Sequence, residues 1–385
     1  MKIILHITRF LVGILFIFSG LVKANDPLGL SYKMKEFFEL WNSELAQGHL
    51  FMKNFLVNLF QFFHDHSLSL SIFMIAFEII AGVALLIGWR MRLFSWLLLL
   101  LIIFFTFLTG YAYLSGKFTN CGCFGDCIPI TSKTSFIKDI ILTLLIVFLF
   151  ISRKMIRPVF NPGKNTAIML AATAISFGLQ WYVLAYLPLV DCLPFKKGND
   201  LAAKIKPPPN AKPDVYETKL VYEKNGKKYS FGITELPADW KTYTYVSTES
   251  KLIKKGNMEP EIKSFSLMTP SGVDSTGIVL SQPVSILLFC ENFSTPVKDW
   301  QKAFTEVREV ATQKNIPVYI ITSSANEASI ALKNTGFENI QLFECDYTAI
   351  RTAARTNPCI YVLKKGVVAG KWSYKRMRQA EKILP

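Results

Sequence analysis

The chain has 385 residues, 51% of them apolar, with 43 Lys and Arg against 28 Asp and Glu and a formal net charge of +15. That length suits roughly two or three domains. The long uncharged runs fall almost entirely before Asp191, which excludes a wholly water-soluble protein; the positive charge lies in short loops and on the later half, with no nucleic-acid motif beside it.

Residues 3–22, 67–89, 93–114, 131–151 and 166–190 approach or reach the ~20 residues that cross ~30 Å of hydrocarbon. The fourth is the weakest, because Lys133, Lys138 and Asp139 fall in its first part. Arg9 interrupts the first run and no small-x-small site follows before Asp26, so this segment reads as an uncleaved anchor rather than a signal peptide. Arg90 and Arg92 lie between the second and third segments, and Arg153, Lys154, Arg157 and Lys164 between the fourth and fifth. The positive-inside rule places these loops and the amino terminus in the cytoplasm, and residues 25–66 and everything beyond Asp191 outside. The expectation is a multi-pass protein of the inner (cytoplasmic) membrane with a periplasmic carboxy-terminal domain.

Residues 31–66 hold aromatic-rich stretches whose apolar positions recur at mixed three- and four-residue intervals with polar residues between, which suits helices lying on the outer face of the bilayer. Just beyond the third segment, Cys121, Cys123 and Cys127 fall within seven residues, separated by Gly122, Phe124 and Gly125. An oxidising compartment permits disulfides there, and thiols near Lys117 or Lys133 would exchange as thiolates. Three readings stand open: redox exchange, a structural disulfide such as Cys127 to Cys192, and a metal site. No histidine is close and the spacing fits no zinc pattern, so no metal is expected.

Arg9 and Glu78 are two further charged residues inside spans, where charge is costly unless paired or functional. They read as an ion pair locking two helices, or as a proton or quinone site. His6, His49, His64 and His66 read as surface residues.

Residues 191–213 carry Pro207, Pro208, Pro209 and Pro213 and read as a stiff spacer holding a domain off the membrane. Residues 214–258 alternate as a small β-rich unit with a turn at Asn225-Gly226. From 259 to 385 the elements run as a strand at 265–268, a buried strand at 284–289, a helix at 296–314, a strand at 318–322, a helix at 326–334, a strand at 341–343, a helix at 347–355, a hairpin of 359–363 and 367–372 turned at Lys365-Gly366, and a basic helix from Tyr374.

That order, with Pro358 before the penultimate strand, resembles the thioredoxin fold. Where the family carries Trp-Cys-Gly-Pro-Cys-Lys, this chain has Phe293-Ser294-Thr295-Pro296-Val297-Lys298. The resemblance implies that Pro358 is the family's cis-proline and Ser294, Pro296 and Val297 a degenerate site. Serine and valine cannot act as attacking thiolates, so the domain is expected to bind rather than exchange. Cys290, Cys345 and Cys359 read as apolar filling, with Cys290 and Cys359 at the same end of the sheet in this fold.

Arg9-Phe10-Leu11-Val12-Gly13 through Phe18-Ser19-Gly20-Leu21-Val22-Lys23, and Phe77-Glu78-Ile79-Ile80-Ala81-Gly82 through Gly88-Trp89-Arg90, resemble the DoxX family. Cys121-Gly122-Cys123-Phe124-Gly125 is similar to the related MauE family. Together the resemblance covers residues 1 to about 152 and implies a four-helix membrane bundle linked to quinone-coupled or periplasmic redox work. The fold class is therefore an α-helical membrane bundle, DoxX/MauE-like over residues 1–152, with a loop and fifth transmembrane helix over 153–190, followed by an α/β thioredoxin-like domain. The functional expectation is a relay in which Cys121, Cys123 and Cys127, with Cys192 as a disulfide partner, pass electrons between a periplasmic thiol-containing protein and a membrane carrier such as quinone. The competing expectation is a non-enzymatic scaffold or assembly factor whose cysteines are staples.

Overall fold

The computed structural model describes residues 2–47, 52–118, 122, 125–254 and 256–385. Among the described residues seven α-helices come first: α1 (Lys2–Ala24), α2 (Pro27–Gln47), α3 (Lys53–Asp65), α4 (Ser67–Ile87), α5 (Met91–Ser115), α6 (Ser132–Ile151) and α7 (Pro162–Tyr186). Five of them, α1, α4, α5, α6 and α7, are long and apolar enough to cross a membrane. The weak fourth segment is one uninterrupted helix of 20 residues, started by the Thr131 hydroxyl accepting from the Thr134 amide. Outward-facing Ile3, Ile7, Phe10 and Leu11 on α1, and Leu100, Ile103 and Phe107 on α5, give the bundle an apolar jacket that lipid must cover.

The bundle core forms where α1 runs antiparallel to α4. A Cβ at Gly82 would stand 2.8 Å from the Gly13 carbonyl oxygen, one at Gly13 2.6 Å from Leu86, and one at Gly20 2.5 Å from Ile79. Small residues let the backbones approach, and dispersion packing then holds helices that gain nothing from hydrophobic transfer out of lipid. α4 ends at Gly88 with a left-handed φ of 72°. The Val159 amide then donates to the Ile87 carbonyl, so the two basic turns sit together at one end of the bundle. α2 and α3 roof the other end and stack Phe38 on Phe60 and Phe63.

The later part continues with α8 (Leu201–Lys204), β1 (Val215–Lys224), β2 (Lys227–Gly232), β3 (Thr244–Lys254), α9 (Thr276–Ser281), β4 (Ser285–Cys290), α10 (Lys298–Gln313), β5 (Val318–Thr322), α11 (Ala325–Ala331), β6 (Gln341–Glu344), α12 (Tyr347–Ala353), β7 (Cys359–Lys364), β8 (Val367–Ser373) and a closing 3-10 helix, Tyr374–Ile383. β1–β3 form an antiparallel sheet in the order β2-β1-β3, and β4–β8 a mixed sheet in the order β6-β5-β4-β7-β8. Asn225-Gly226 and Lys365-Gly366 all have positive φ, the two-residue turns that match strand twist. β4 is buried along its whole length, as a central strand covered on both faces must be. Trp300, Phe304 and Met377 cover one face, and Phe195, Leu201, Phe265 and Ile350 the other.

Two expectations are corrected here. Residues 265–268 form no ladder strand: Met268 makes only isolated bridges, to Asp274 and Glu344, while Phe265 and Leu267 fill the core. The segment read as a spacer also begins as part of the domain. Phe195 and Leu201 are fully buried, Gly198 donates to Val368, and Val368 donates back to Asn199. Burying those two side chains outweighs the extended preference of the prolines, which act only further on, before β1. The domain is seated on the bundle rather than held away from it.

Replacing Gly82 with valine should push α1 and α4 apart and cost about 1–3 kcal/mol. Gly178→Ala on α7, with nothing within 4 Å of the new Cβ, should be neutral. Thermal unfolding of the detergent-solubilised protein reads both.

Candidate functional site

The antiparallel register of α1 and α4 decides which charges meet inside the bundle. Gly20 lies against Ile79, so the next turn of α1 brings Lys23, not Arg9, to Glu78. Lys23 Nζ is 2.5 Å from Glu78 Oε1, and the Ser19 hydroxyl donates to Glu78 Oε2 at 3.1 Å. The Arg9–Glu78 pair expected from the sequence is therefore not formed. Arg9 lies further along, where its Nε donates to the Leu85 carbonyl at 2.6 Å and its second nitrogen to that of Leu86. These are carbonyls of the last turn of α4, which lack helical partners and carry the negative end of the dipole.

A second pair lies across the bundle. Lys138 Nζ is 2.7 Å from Asp139 Oδ1, and the Thr109 hydroxyl donates to Asp139 Oδ2 at 3.0 Å. Between the two pairs runs a narrow cavity of about 80 Å³ with apolar walls that include Phe16, Met74 and Phe105; Ser19, Lys23, Thr109 and Gly122 also line it. Lys23 Nζ stands 4.9 Å from the centre of the Phe105 ring.

Gly122 lines a second, larger space as well, a cleft of about 900 Å³ between the roofed end of the bundle and the soluble domain. Cys192 stands in its wall, joined to Cys127 by a disulfide across a Cα separation of 4.9 Å. Of the sequence's cysteine cluster, Cys127 is thus paired with the thiol beyond the fifth span. Cys121 and Cys123 lie outside the described residues; Gly122, the residue between them, adjoins both the cavity and the cleft. Asn25 holds the irregular segment that leads to Cys192, donating to the Val190 carbonyl at 2.8 Å and accepting from the Val190 amide at 3.0 Å.

The cleft exists because Arg355 ties the domain down. Arg355 Nε is 2.9 Å from Asp26 Oδ2, and a terminal nitrogen is 2.9 Å from Asp126 Oδ2. Asp26 also caps α2, accepting from the Gly29 amide at 3.1 Å with Pro27 at the first helical position. Burial pushes the Asp26 carboxyl above its usual range while Arg355 pulls it back. Arg355 is held more firmly protonated than usual: burial works against its charge, but Asp26 and Asp126 more than offset it. Beside it, Arg351 pairs with Glu291 at 2.9 Å and sits 4.5 Å from the ring of Tyr32, whose hydroxyl burial pushes well up.

Pro358 is buried behind a cis Asn357–Pro358 peptide, Ser294 and Pro296 are exposed, and Val297 is half-buried. Asn357 donates to Asn292 at 2.7 Å and accepts from the Glu291 amide at 3.1 Å, so this corner of the sheet turns toward the bundle through Glu291 and Arg355. Cys290, Cys345 and Cys359 are free and buried, and burial pushes the Cys345 and Cys359 thiols up to about 12 and that of Cys290 higher still. Sequence reasoning missed Lys23, Asp26, Asp126, Asp139 and Arg355 as site residues. Lys23 and Asp26 stand just past the apolar run, and Asp126 beside a cysteine, but nothing local announces their partners.

Lys23→Met strands Glu78 as an unpaired buried charge, so it should cost about 3–5 kcal/mol, and much of that should return in Lys23→Met/Glu78→Gln. Thermal unfolding in detergent measures the difference between the single and the double variant.

Residues 50–152 match the family model described as methylamine utilisation protein MauE, and residues 216–255 match a domain of unknown function (DUF8463). No curated protein and no solved structure matches the chain. The first match takes in α3 to α6 and the whole cysteine cluster, and begins after α1 and α2. This part of the chain is a MauE-like membrane domain.

Proposed function

We propose that the chain is a membrane-embedded thiol–disulfide exchange protein that relays electrons between a thiol-bearing protein on the soluble domain's side and a carrier in the bilayer. One observation carries this reading: the Cys127–Cys192 disulfide stands in the wall of a cleft open to a partner, and that cleft adjoins the intramembrane cavity at Gly122, between Cys121 and Cys123. In each exchange a thiolate attacks one sulfur of a disulfide and the other sulfur leaves as a thiolate that takes up a proton. One dithiol is oxidised as one disulfide is reduced, with two electrons moved. Cys127 and Cys192 would meet the partner, and Cys121 and Cys123 would hand on the electrons.

A quinone-class carrier suits the cavity chemically, since apolar walls meet an ammonium donor. Lys23, which keeps N–H groups beyond the one it gives Glu78, would hold a carbonyl oxygen, and Phe16, Met74 and Phe105 would face the ring. We read the five-stranded domain as thioredoxin-like without its dithiol: strand, helix and parallel strand, then a hairpin behind a cis-proline, with Ser294 and Val297 where exchanging members carry cysteines. The two basic turns lie at the bundle end away from this domain, so the positive-inside rule puts them in the cytoplasm and the domain in the periplasm.

The second reading, a scaffold or assembly factor, draws on the seated domain. The corner carrying Asn357 and Glu291 meets the chain's own bundle, and the thiols in its core are buried away from any partner.

Mixed-disulfide trapping separates the two. Under the relay reading, Cys192→Ser should accumulate a protein adduct that dithiothreitol releases, because the resolving thiol is gone, and Cys123→Ser should leave Cys121 joined within the chain to Cys127 or Cys192. If Cys192→Ser carries no adduct and Cys127–Cys192 stays fully oxidised in Cys123→Ser, the scaffold reading replaces it.

A further inference from the structure

The closing 3-10 helix leaves the sheet and returns to the last turns of α7. There the Arg376 guanidinium lies 4.3 Å from the Tyr186 ring centre and 5.7 Å from that of Tyr182. Lys375 Nζ lies 5.7 Å from Tyr186 and 5.9 Å from Trp181. Both cations are exposed, and neither has a carboxylate partner among the described residues. Their neighbours differ: Lys371 is paired with Asp191 and Arg378 with Glu306.

The depth of this cluster follows from α7. Trp181, Tyr182 and Tyr186 occupy the end of a span, where amphipathic rings sit at the level of lipid headgroups. Ile175, 64% exposed, lies seven residues before Tyr182 on the same face of α7 and continues it with apolar surface about 10 Å further into the span. Ring faces orient the two cations by attraction to their electron-rich surfaces but accept none of the strong hydrogen bonds their N–H groups offer. Two unpaired cations at headgroup depth, beside an apolar track for acyl chains, define what fits: a phosphate whose body is hydrophobic.

We propose that Lys375 and Arg376, framed by Trp181, Tyr182 and Tyr186, bind the phosphate-bearing headgroup of an anionic phospholipid in the leaflet beneath the soluble domain. Arg376 supplies planar paired donors and Lys375 a point charge. The lipid thus fastens the carboxy-terminal helix to the membrane, on the opposite edge of the sheet from β6. The site is independent of the cysteines and stands or falls apart from the relay.

The test uses the full chain in nanodiscs of phosphatidylcholine with and without phosphatidylglycerol, read by native mass spectrometry of retained lipid. Phosphatidylglycerol should be retained in preference to phosphatidylcholine. Lys375→Gln/Arg376→Gln should weaken that preference about 30-fold, corresponding to about 1 kcal/mol for each cation. Lys375→Arg/Arg376→Lys, which keeps both charges, should retain most of it and guards against a folding artefact. Equal retention of the two lipids, or a preference unchanged in the glutamine variant, overturns the proposal. Displacement of the lipid by inorganic phosphate at millimolar concentration overturns it too, since it would show a site for a soluble anion.

Discussion

Arg355 holds the molecule's two halves together. It reaches Asp26, at the turn between the first span and the helix that roofs the bundle, and Asp126, next to the disulfide cysteine Cys127. Its side chain is 5% exposed and that of Asp26 12%, so the contact is largely dry; Asp126, at 39%, is the wetter and weaker partner. A guanidinium removed from water is stable only when its fork is filled, and here two carboxylates and the Arg351 carbonyl fill it. Take the arginine away and two acids face each other at the domain boundary. The same residues set the cleft, since Asp26 follows Asn25, which clamps Val190, and Asp126 precedes Cys127. The disulfide and the contacts that seat the domain are therefore joined through two pairs of consecutive residues.

Inside the bundle the governing constraint is different. Lys23 and Glu78 neutralise one another at a depth where neither could stand alone, and the glycines of α1 and α4 fix the register that brings them together. The mirrored arrangement of Lys138, Asp139 and Thr109 leaves a narrow apolar passage flanked by satisfied polar groups. Such a passage is dry enough to favour an apolar guest and polar enough at its edges to orient one.

The large divisions of this fold were legible because they depend on local pattern. Uncharged runs gave the five spans, alternation gave β1 to β3, and the turn pairs Asn225-Gly226 and Lys365-Gly366 fell where the hairpins reverse. What depends on long-range register was not legible. Arg9 and Glu78 looked like partners because both interrupt apolar runs, but a helix pair offset by half a span gives Glu78 to Lys23 and leaves Arg9 to carbonyls. The prolines suggested a spacer because composition does not reveal that Phe195 and Leu201 find a groove on the sheet. Arg355 gave no local sign at all, since its partners lie 329 and 229 residues earlier.

Whether Cys127–Cys192 exchanges or only staples the chain is read most directly from its equilibrium potential. The full chain in detergent would be poised against graded glutathione buffers and the two thiols counted by alkylation and mass spectrometry. An exchanging pair should titrate between about −120 and −270 mV, the range spanned by dithiol proteins that donate or accept electrons. A value below about −300 mV, where structural disulfides of secreted proteins lie, would contradict the account.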